Sequence, residues 1–238
     1  MLLFVQTKIN PTQVRKMINK IVQNIQGAIS GINDGSTILC SGFGDAGAPI
    51  DLLEALTETD TIDLTIVSNN AGEGSYGLAA LMKSGKIKKI ICSYPISAGS
   101  IIFQDLYNSG KIKLEVVPQG TLSERMRAAG AGIGAFFTPT SAKTKLGKGK
   151  ETRVIDGIEH VLEYPLKGDV ALIRAKKADR LGNIIYDKSA RNFSPIMAMA
   201  ATTTIVEVEE LVEINEIDPE LIITPGIFVD RIVLSNNC

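Results

Sequence analysis

The sequence predicts an α/β protein: an open, largely parallel sheet with helices on both faces, and a C-terminal half richer in strands. Three observations carry this. Strand-like runs such as "IDLTIVS" and "IKKIICS" alternate with helix-like runs such as "GLAALMKSG" and "SIIFQDLYNSG", the pattern of a parallel sheet covered on both sides. The chain has 238 residues, of which 45% are hydrophobic, enough to bury a substantial core. After residue 150 the texture shifts to strands joined by tight turns, without a linker, so residues 17–238 read as one domain.

Taken in order, "NPTQVRKMINKIVQNI" sets Val14, Met17, Ile18, Ile21, Val22 and Ile25 at helical spacing. Asn10 is the candidate N-cap and Pro11 the first residue of this amphipathic helix. "INDG" at 32–35 is a turn into a strand over Thr37–Ser41, followed by a glycine loop and a helix over Pro49–Thr57. A strand then ends in Asn69 and Asn70, and a later one, "KLEVV", runs into Pro118, Gln119 and Gly120. "TLSERMRAAGAGIGAFF" opens a helix in which Thr121 and Glu124 form a T-x-x-E capping box. "TPTSAKTKLGKGKETR" reads as a mobile surface loop. The strand-like stretches "RVIDGIEHVLEYPL", "DVALIRAKKADRLGNIIYD", "TTTIVEVEELV" and "RIVL" follow, interrupted by the helix "SPIMAMAA", with Ser194 as its cap and Pro195 at its first position.

Composition removes several classes of function. Lys plus Arg number 25 against 26 Asp plus Glu, and Trp is absent, so neither a basic footprint for nucleic acid or anionic membrane nor a base-stacking surface is expected. Cys40, Cys92 and Cys238 are too few and too scattered for a disulfide framework or a zinc cluster. No stretch reads as a signal peptide or a membrane span. A cytoplasmic setting is expected, with no metal.

The stretch "CSGFGDAGAP" places Gly42, Gly44 and Gly47 as G-x-G-x-x-G between a strand and a helix. A nicotinamide site would need an acidic residue at the end of the next strand to hold the ribose. That strand ends in Ser68, Asn69 and Asn70, and Asp63 stands at its beginning, which disfavours the dinucleotide. The loop is then either a cradle for an anion or acyl group, or a tight turn only. Strand ends are informative because open α/β sheets bind ligands at their carboxyl edges. Asn69, Asn70 and Gln119 put uncharged carboxamides there, able to hold a carboxylate or polarise a carbonyl, although Asn before Gly also serves turns. Glu124 is explained by its capping box, and Glu73 lies isolated in a glycine-rich loop. His160, the only histidine, sits in a strand-like segment without triad or metal partners. Lys143, Lys145, Lys148, Lys150 and Arg153 make a solvated loop that a phosphate could also use.

In this order and spacing, "GFGDAGAP", "LTIVSNNAG", "VVPQGTLSERMRAAGAG", "FFTPT", "GDVALIRAKKADRLGNIIY", "KSARNFSPIMAMAA" and "LITPGIFV" resemble the A-type subunit of the family I CoA-transferases. "VSNNAG" and "PQGTL" are most similar to the 3-oxoadipate and succinyl-CoA:3-oxoacid members. The resemblance implies ping-pong transfer of CoA from an acyl-CoA such as succinyl-CoA to a 3-oxo acid such as 3-oxoadipate or acetoacetate. The nucleophile implied is a glutamate in an S-E-N-G motif of the B-type CoA-transferase subunit; this chain has no such motif and holds Asn69 at the nearest echo. It is therefore expected to be half of an enzyme, in a heterotetramer or hetero-octamer with the B-type subunit. CoA enters as substrate, and no tightly bound cofactor is expected.

By the same resemblance, Gln119 holds the thioester carbonyl oxygen. Asn69 and Asn70 bind the acid or brace Gln119, and Gly42, Phe43, Gly44, Gly47 and Gly120 bring backbone close to the acyl group. Two departures stand out. The family's "TPTGxGT" is here "TPTSAKT", with Ser141 and Ala142 in a glycine-bearing turn. Residues 1–16 have no counterpart and read as a peripheral or non-native extension. Competing expectations are an acetate- or butyrate-type enzyme, or a non-catalytic module binding CoA or a sugar phosphate.

Overall fold

The computed structural model describes residues 18–97 and 99–236. Four strands alternate with helices through the first half: β1 (Thr37–Cys40), β2 (Leu64–Asn70), β3 (Ile87–Tyr94) and β4 (Lys113–Val116). The helices are α1 (Ile25–Ile29), α2 (Ile50–Thr57), α3 (Gly77–Lys83), α4 (Ile101–Asn108) and α5 (Gln119–Gly130). There follow β5 (Phe136–Thr138), β6 (Thr152–Ile155), β7 (Ile158–Glu163), β8 (Gly168–Asp179), β9 (Ile184–Ile185), α6 (Ser194–Ala200), β10 (Ala201–Val212) and β11 (Arg231–Leu234).

The main sheet has the order β11-β10-β8-β1-β2-β3-β4, with β9 paired antiparallel to β8. All its other pairings are parallel. A small antiparallel sheet, β5-β7-β6, stands apart. The chain builds outward from β1 in one direction through β4, then returns to the other side of β1 with β8. The strand order therefore reverses at β1, the position where open α/β sheets leave a crevice for ligands.

Side chains alternate across this sheet into two cores. Ile38, Cys40, Ile66, Ile90, Leu172 and Ile205 pack under α1 to α4 with Leu52, Leu56, Leu81, Met82 and Phe103. On the opposite face Leu39, Val67, Ile91, Ile173 and Val206 meet Leu122 and Met126 of α5 and Met197 of α6. Each fully buried Leu or Ile contributes about 1.5–3 kcal/mol relative to exposure. The expected layers are thus present, and the strand-rich second half supplies both the small sheet and one flank of the large one.

Four local expectations are corrected. The helix-like segment from Thr121 ends at Gly130, and Phe136–Thr138 at its far end is strand β5, paired antiparallel with β7. The helix expected from Asn10 does not extend over Ile18–Asn24; its Asn10–Met17 portion lies outside the described residues. Instead Ile21 bridges Ile232 in parallel, with Val22 N–H donating to the Ile232 carbonyl (2.8 Å) and Ile232 N–H to that of Lys20 (2.8 Å). The open edge of β11 captures this segment, and only the short helix after Asn24 forms, capped by Asn24 Oδ1 on Gly27 N–H (2.7 Å). Edge pairing satisfies backbone groups that an isolated helical turn would leave to water.

The T-x-x-E capping box is also absent. Helix α5 starts at Gln119, so Thr121 already lies inside its first turn, where its buried hydroxyl has no partner. Glu124 instead pairs with Arg127 (2.8 Å). Likewise Ser194 does not cap α6: Phe193 holds that position, Ser194 is helical, and its hydroxyl is buried and unpartnered. In both cases packing of the helix against the sheet draws the first turn further back than the side-chain signal indicates.

The lysine loop is wound into successive turns. The Ser141 carbonyl accepts both the backbone N–H and the hydroxyl of Thr144 (2.9 Å each), and Lys150 pairs with buried Glu163. Ser141 adopts φ 69° with its hydroxyl buried and unpartnered. Glycine at this position should relieve both costs: Ser141→Gly is expected to stabilise the protein by about 1 kcal/mol. A denaturation midpoint no higher than wild type would refute the strain at Ser141.

Candidate functional site

At the carboxyl edge of the sheet, the ends of β1 to β4 surround a cleft of about 500 Å³. Phe43 and Gly44 of the glycine loop form one wall, Asn69 and Asn70 the floor, Ser93 and Tyr94 of β3 and Gln119 the far side, and Glu73 the mouth. A narrower crevice sharing Gly44, Asn70 and Glu73 continues inward past Gly42 and Ser68.

The three carboxamides expected from sequence are brought together, in different roles. Asn69 is 4% exposed, and its Oδ1 accepts from Gln119 Nε2 (2.8 Å) and from Ser93 Oγ (2.8 Å). Gln119 is exposed at the start of α5. One of its amide hydrogens is committed to Asn69, and the second has no partner among the described residues. Asn70 accepts Gly72 N–H (2.9 Å), the local turn that Asn before Gly makes, while still lining the cleft. Sequence reasoning passes over Ser93 and Tyr94, although the strand-end rule that selects Asn69 and Asn70 selects them too.

The glycine loop is a small turn closed by Phe43 N–H on the Ala46 carbonyl (3.0 Å). Phe43 is 53% exposed at the rim. A Cβ on Gly44 would meet nothing within 4 Å, whereas one on Gly47 would lie 2.3 Å from the Ala190 carbonyl oxygen. Gly44 therefore presents backbone to the cleft, while Gly47 lets two chain segments touch behind it. Gly47 and Gly120 both lie outside the residues that line the cleft. In the lining of the narrower crevice Tyr76 donates its hydroxyl to Asp45 (2.6 Å), which holds the Tyr76 phenol above its ordinary pKa.

Helix α2, which leaves the loop, follows Pro49 and has no side-chain cap of its own. Glu207 of β10 supplies one: its Oε2 accepts Leu52 N–H (3.2 Å), while Oε1 meets Arg174 (3.2 Å). Glu207 is fully buried, and this burial, aided by the nearby Asp51 carboxylate, pushes its pKa up to about 7 against the pull of Leu52 N–H and Arg174.

The remaining candidates lie elsewhere. His160 is on β7, with Nδ1 bonded to the Ile158 carbonyl (2.8 Å). Asp63 sits before β2 and pairs with Lys88 (3.5 Å), away from the strand end where a ribose contact would be needed. Among the described residues, no group of His, Cys, Asp and Glu is placed to hold a metal ion, and no helix is long and apolar enough to cross a membrane. The arrangement is a hydrogen-bonding pocket of carboxamides and close backbone with one carboxylate, Glu73, at its mouth, and amide donors of this kind can polarise a carbonyl oxygen.

Comparison with known proteins gives the family. A family model described as coenzyme A transferase matches residues 22–235. The chain is 58% identical over 217 residues to the A-type subunit of 3-oxoadipate CoA-transferase from Pseudomonas putida, covering 91% of this chain and 94% of that one. It is 45% identical over 217 residues to the A-type subunit of a probable succinyl-CoA:3-ketoacid coenzyme A transferase from Bacillus subtilis, covering 91% and 90%. Its fold is like that of an acyl-CoA transferase from Escherichia coli O157:H7 solved as a thioester complex with CoA, with TM-score 0.80 and 22% identity over 93% of this chain. The chain spans about half the length of that protein (48%).

Proposed function

This chain belongs to the coenzyme A transferase family, and we propose that within it the chain is the A-type subunit of a heteromeric enzyme moving CoA between an acyl-CoA, succinyl-CoA foremost, and a 3-oxo acid such as 3-oxoadipate or acetoacetate. The observation that carries this is the Gln119–Asn69–Ser93 hydrogen-bonded set at the strand ends, an aimed donor with no nucleophile bonded to it. The carboxylate nucleophile is assigned to the partner subunit on the resemblance to the family, Glu73 at the mouth of the cleft standing apart from this hydrogen-bonded set.

In this reading a glutamate of the partner attacks the thioester carbonyl carbon and expels CoA thiolate, leaving an acyl-glutamyl anhydride. The thiolate attacks the glutamyl carbonyl, releases the donor acid and forms a glutamyl-CoA thioester; the steps reverse with the acceptor. As each carbonyl becomes tetrahedral its oxygen gains negative charge, and the free N–H of Gln119 stabilises it where it develops. Gly44 keeps the opposite wall free of side chain, and Phe43 and Tyr94 cover the apolar part of the acyl group. CoA is bound as substrate, in a cytoplasmic heterotetramer or hetero-octamer.

The test is reconstitution with the B-type subunit. Transfer of CoA from succinyl-CoA to 3-oxoadipate or acetoacetate by the mixture, with neither chain active alone, is the expected result. Association without transfer, or binding of CoA by this chain alone at full affinity, would replace the half-enzyme reading with a binding module.

A further inference from the structure

The glycine loop wall of the cleft carries almost no regular structure, yet a single side chain outside it engages both of its ends. Asn192 Oδ1 accepts the N–H of Gly42 (3.1 Å), and Asn192 Nδ2 donates to the carbonyl of Ala46 (2.9 Å). These two residues flank the projecting turn Phe43-Gly44-Asp45 that faces the cleft. The same carboxamide also anchors its own segment, accepting Phe193 N–H (2.8 Å) and donating to the Ala190 carbonyl (3.0 Å). Gly47 closes the contact from the loop side, since a Cβ there would lie 2.8 Å from Asn192 Nδ2.

This placement strains the backbone of Asn192, which adopts φ 21° and ψ −117°. An L residue holds such angles only where its surroundings over-determine them, and strain of this kind collects at functional sites. If the position served only as a turn, glycine would adopt it with less strain. What glycine lacks is the carboxamide, and the carboxamide is engaged by the loop.

We infer that Asn192, 150 residues from Gly42 in sequence, is a positioning residue that fixes the Gly42–Ala46 backbone at the cleft wall, and that CoA transfer depends on this hold. Its catalytic half rests on the CoA-transfer reading above. A loop displaced by about 1 Å misplaces the reacting carbonyl, which costs on the order of a hundredfold in rate.

Asn192→Gly separates hold from strain, because it relieves the backbone while removing the carboxamide. In the reconstituted complex its kcat should fall about 10- to 100-fold with KM changed far less, although the variant folds normally. Hydrogen exchange of the full chain should show the amides of residues 42–47 exchanging at least about tenfold faster, with the rest of the sheet unchanged. Wild-type kcat overturns the inference. So does unchanged exchange at the loop, because any loss of rate would then arise elsewhere. A wild-type complex that transfers no CoA defeats the proposed function on its own control, and the exchange experiment then decides alone whether Asn192 holds the loop.

Discussion

Replacing Gln119 by Ala should lower kcat of the reconstituted enzyme by about 10²–10³-fold, some 3–4 kcal/mol, with little change in KM. The selectivity for kcat follows from geometry. An amide donor aimed at a carbonyl oxygen binds the ground state weakly and the developing oxyanion strongly, so its loss is felt in the transition state. The orientation of that donor depends on Asn69 Oδ1, which is buried and holds Gln119 Nε2 and Ser93 Oγ at 2.8 Å each. Asn69→Ala should therefore cost a smaller factor, and should cost almost nothing further in a Gln119→Ala background, because the brace acts through the residue it orients. Steady-state kinetics of the two single variants and the double variant give the coupling directly. Independent, additive losses would mean that Asn69 touches substrate in its own right. A loss below tenfold for Gln119→Ala would remove it from the reaction.

The second large effect is a dependence of stability on pH that passes through Glu207. Its pKa is raised by burial from the ordinary 4.5 to about 7, so the folded protein binds this proton more tightly than the unfolded chain does. The stabilisation is complete below pH 4.5 and is lost as pH rises through about 7, where a buried carboxylate must ionise beside Asp51 with Arg174 as its cation. The gap is worth about 3 kcal/mol. Glu207→Gln resembles the protonated side chain at every pH and lacks the linkage. Whatever constant offset the substitution brings, the stability of wild type minus that of Glu207→Gln should fall by about 3 kcal/mol between about pH 4.5 and pH 8, measured by urea unfolding of the full chain. A difference that stays flat across this range would show that Glu207 is ionised throughout. Because Glu207 caps α2 through Leu52 N–H, and α2 leads directly out of the glycine loop, this titration bears on the cleft as well as on the core.

Much of the architecture is legible because a parallel sheet buried on both faces writes itself as short apolar runs separated by amphipathic ones. The strands ending at Cys40, Asn70, Tyr94 and Val116 fall where such runs stop, and the rule that ligands gather at carboxyl ends points to Asn69, Asn70 and Gln119 from position alone. Capping signals fare worse. Thr121 and Ser194 have the chemistry of caps, but α5 and α6 begin earlier than those residues because their faces pack onto the sheet, and a cap worth about 1 kcal/mol yields to the greater free energy of apolar burial. Ile18–Asn24 carries a helical pattern and pairs with an edge strand, because open backbone groups on β11 compete for it.

By itself, then, the sequence determined the order of the main-sheet strands and of the helices between them, the glycine loop and the uncharged polar residues at the strand ends, since each is written in neighbouring residues whose spacing is their signal. Only the tertiary structure decided that Asn69 orients Gln119, that Asn192 clasps Gly42 and Ala46, and that Glu207 caps α2. These contacts join residues 50, 150 and 155 positions apart, and no local pattern can encode them: the partners meet only when parallel strands align their carboxyl ends on one edge and the order of the sheet reverses at β1.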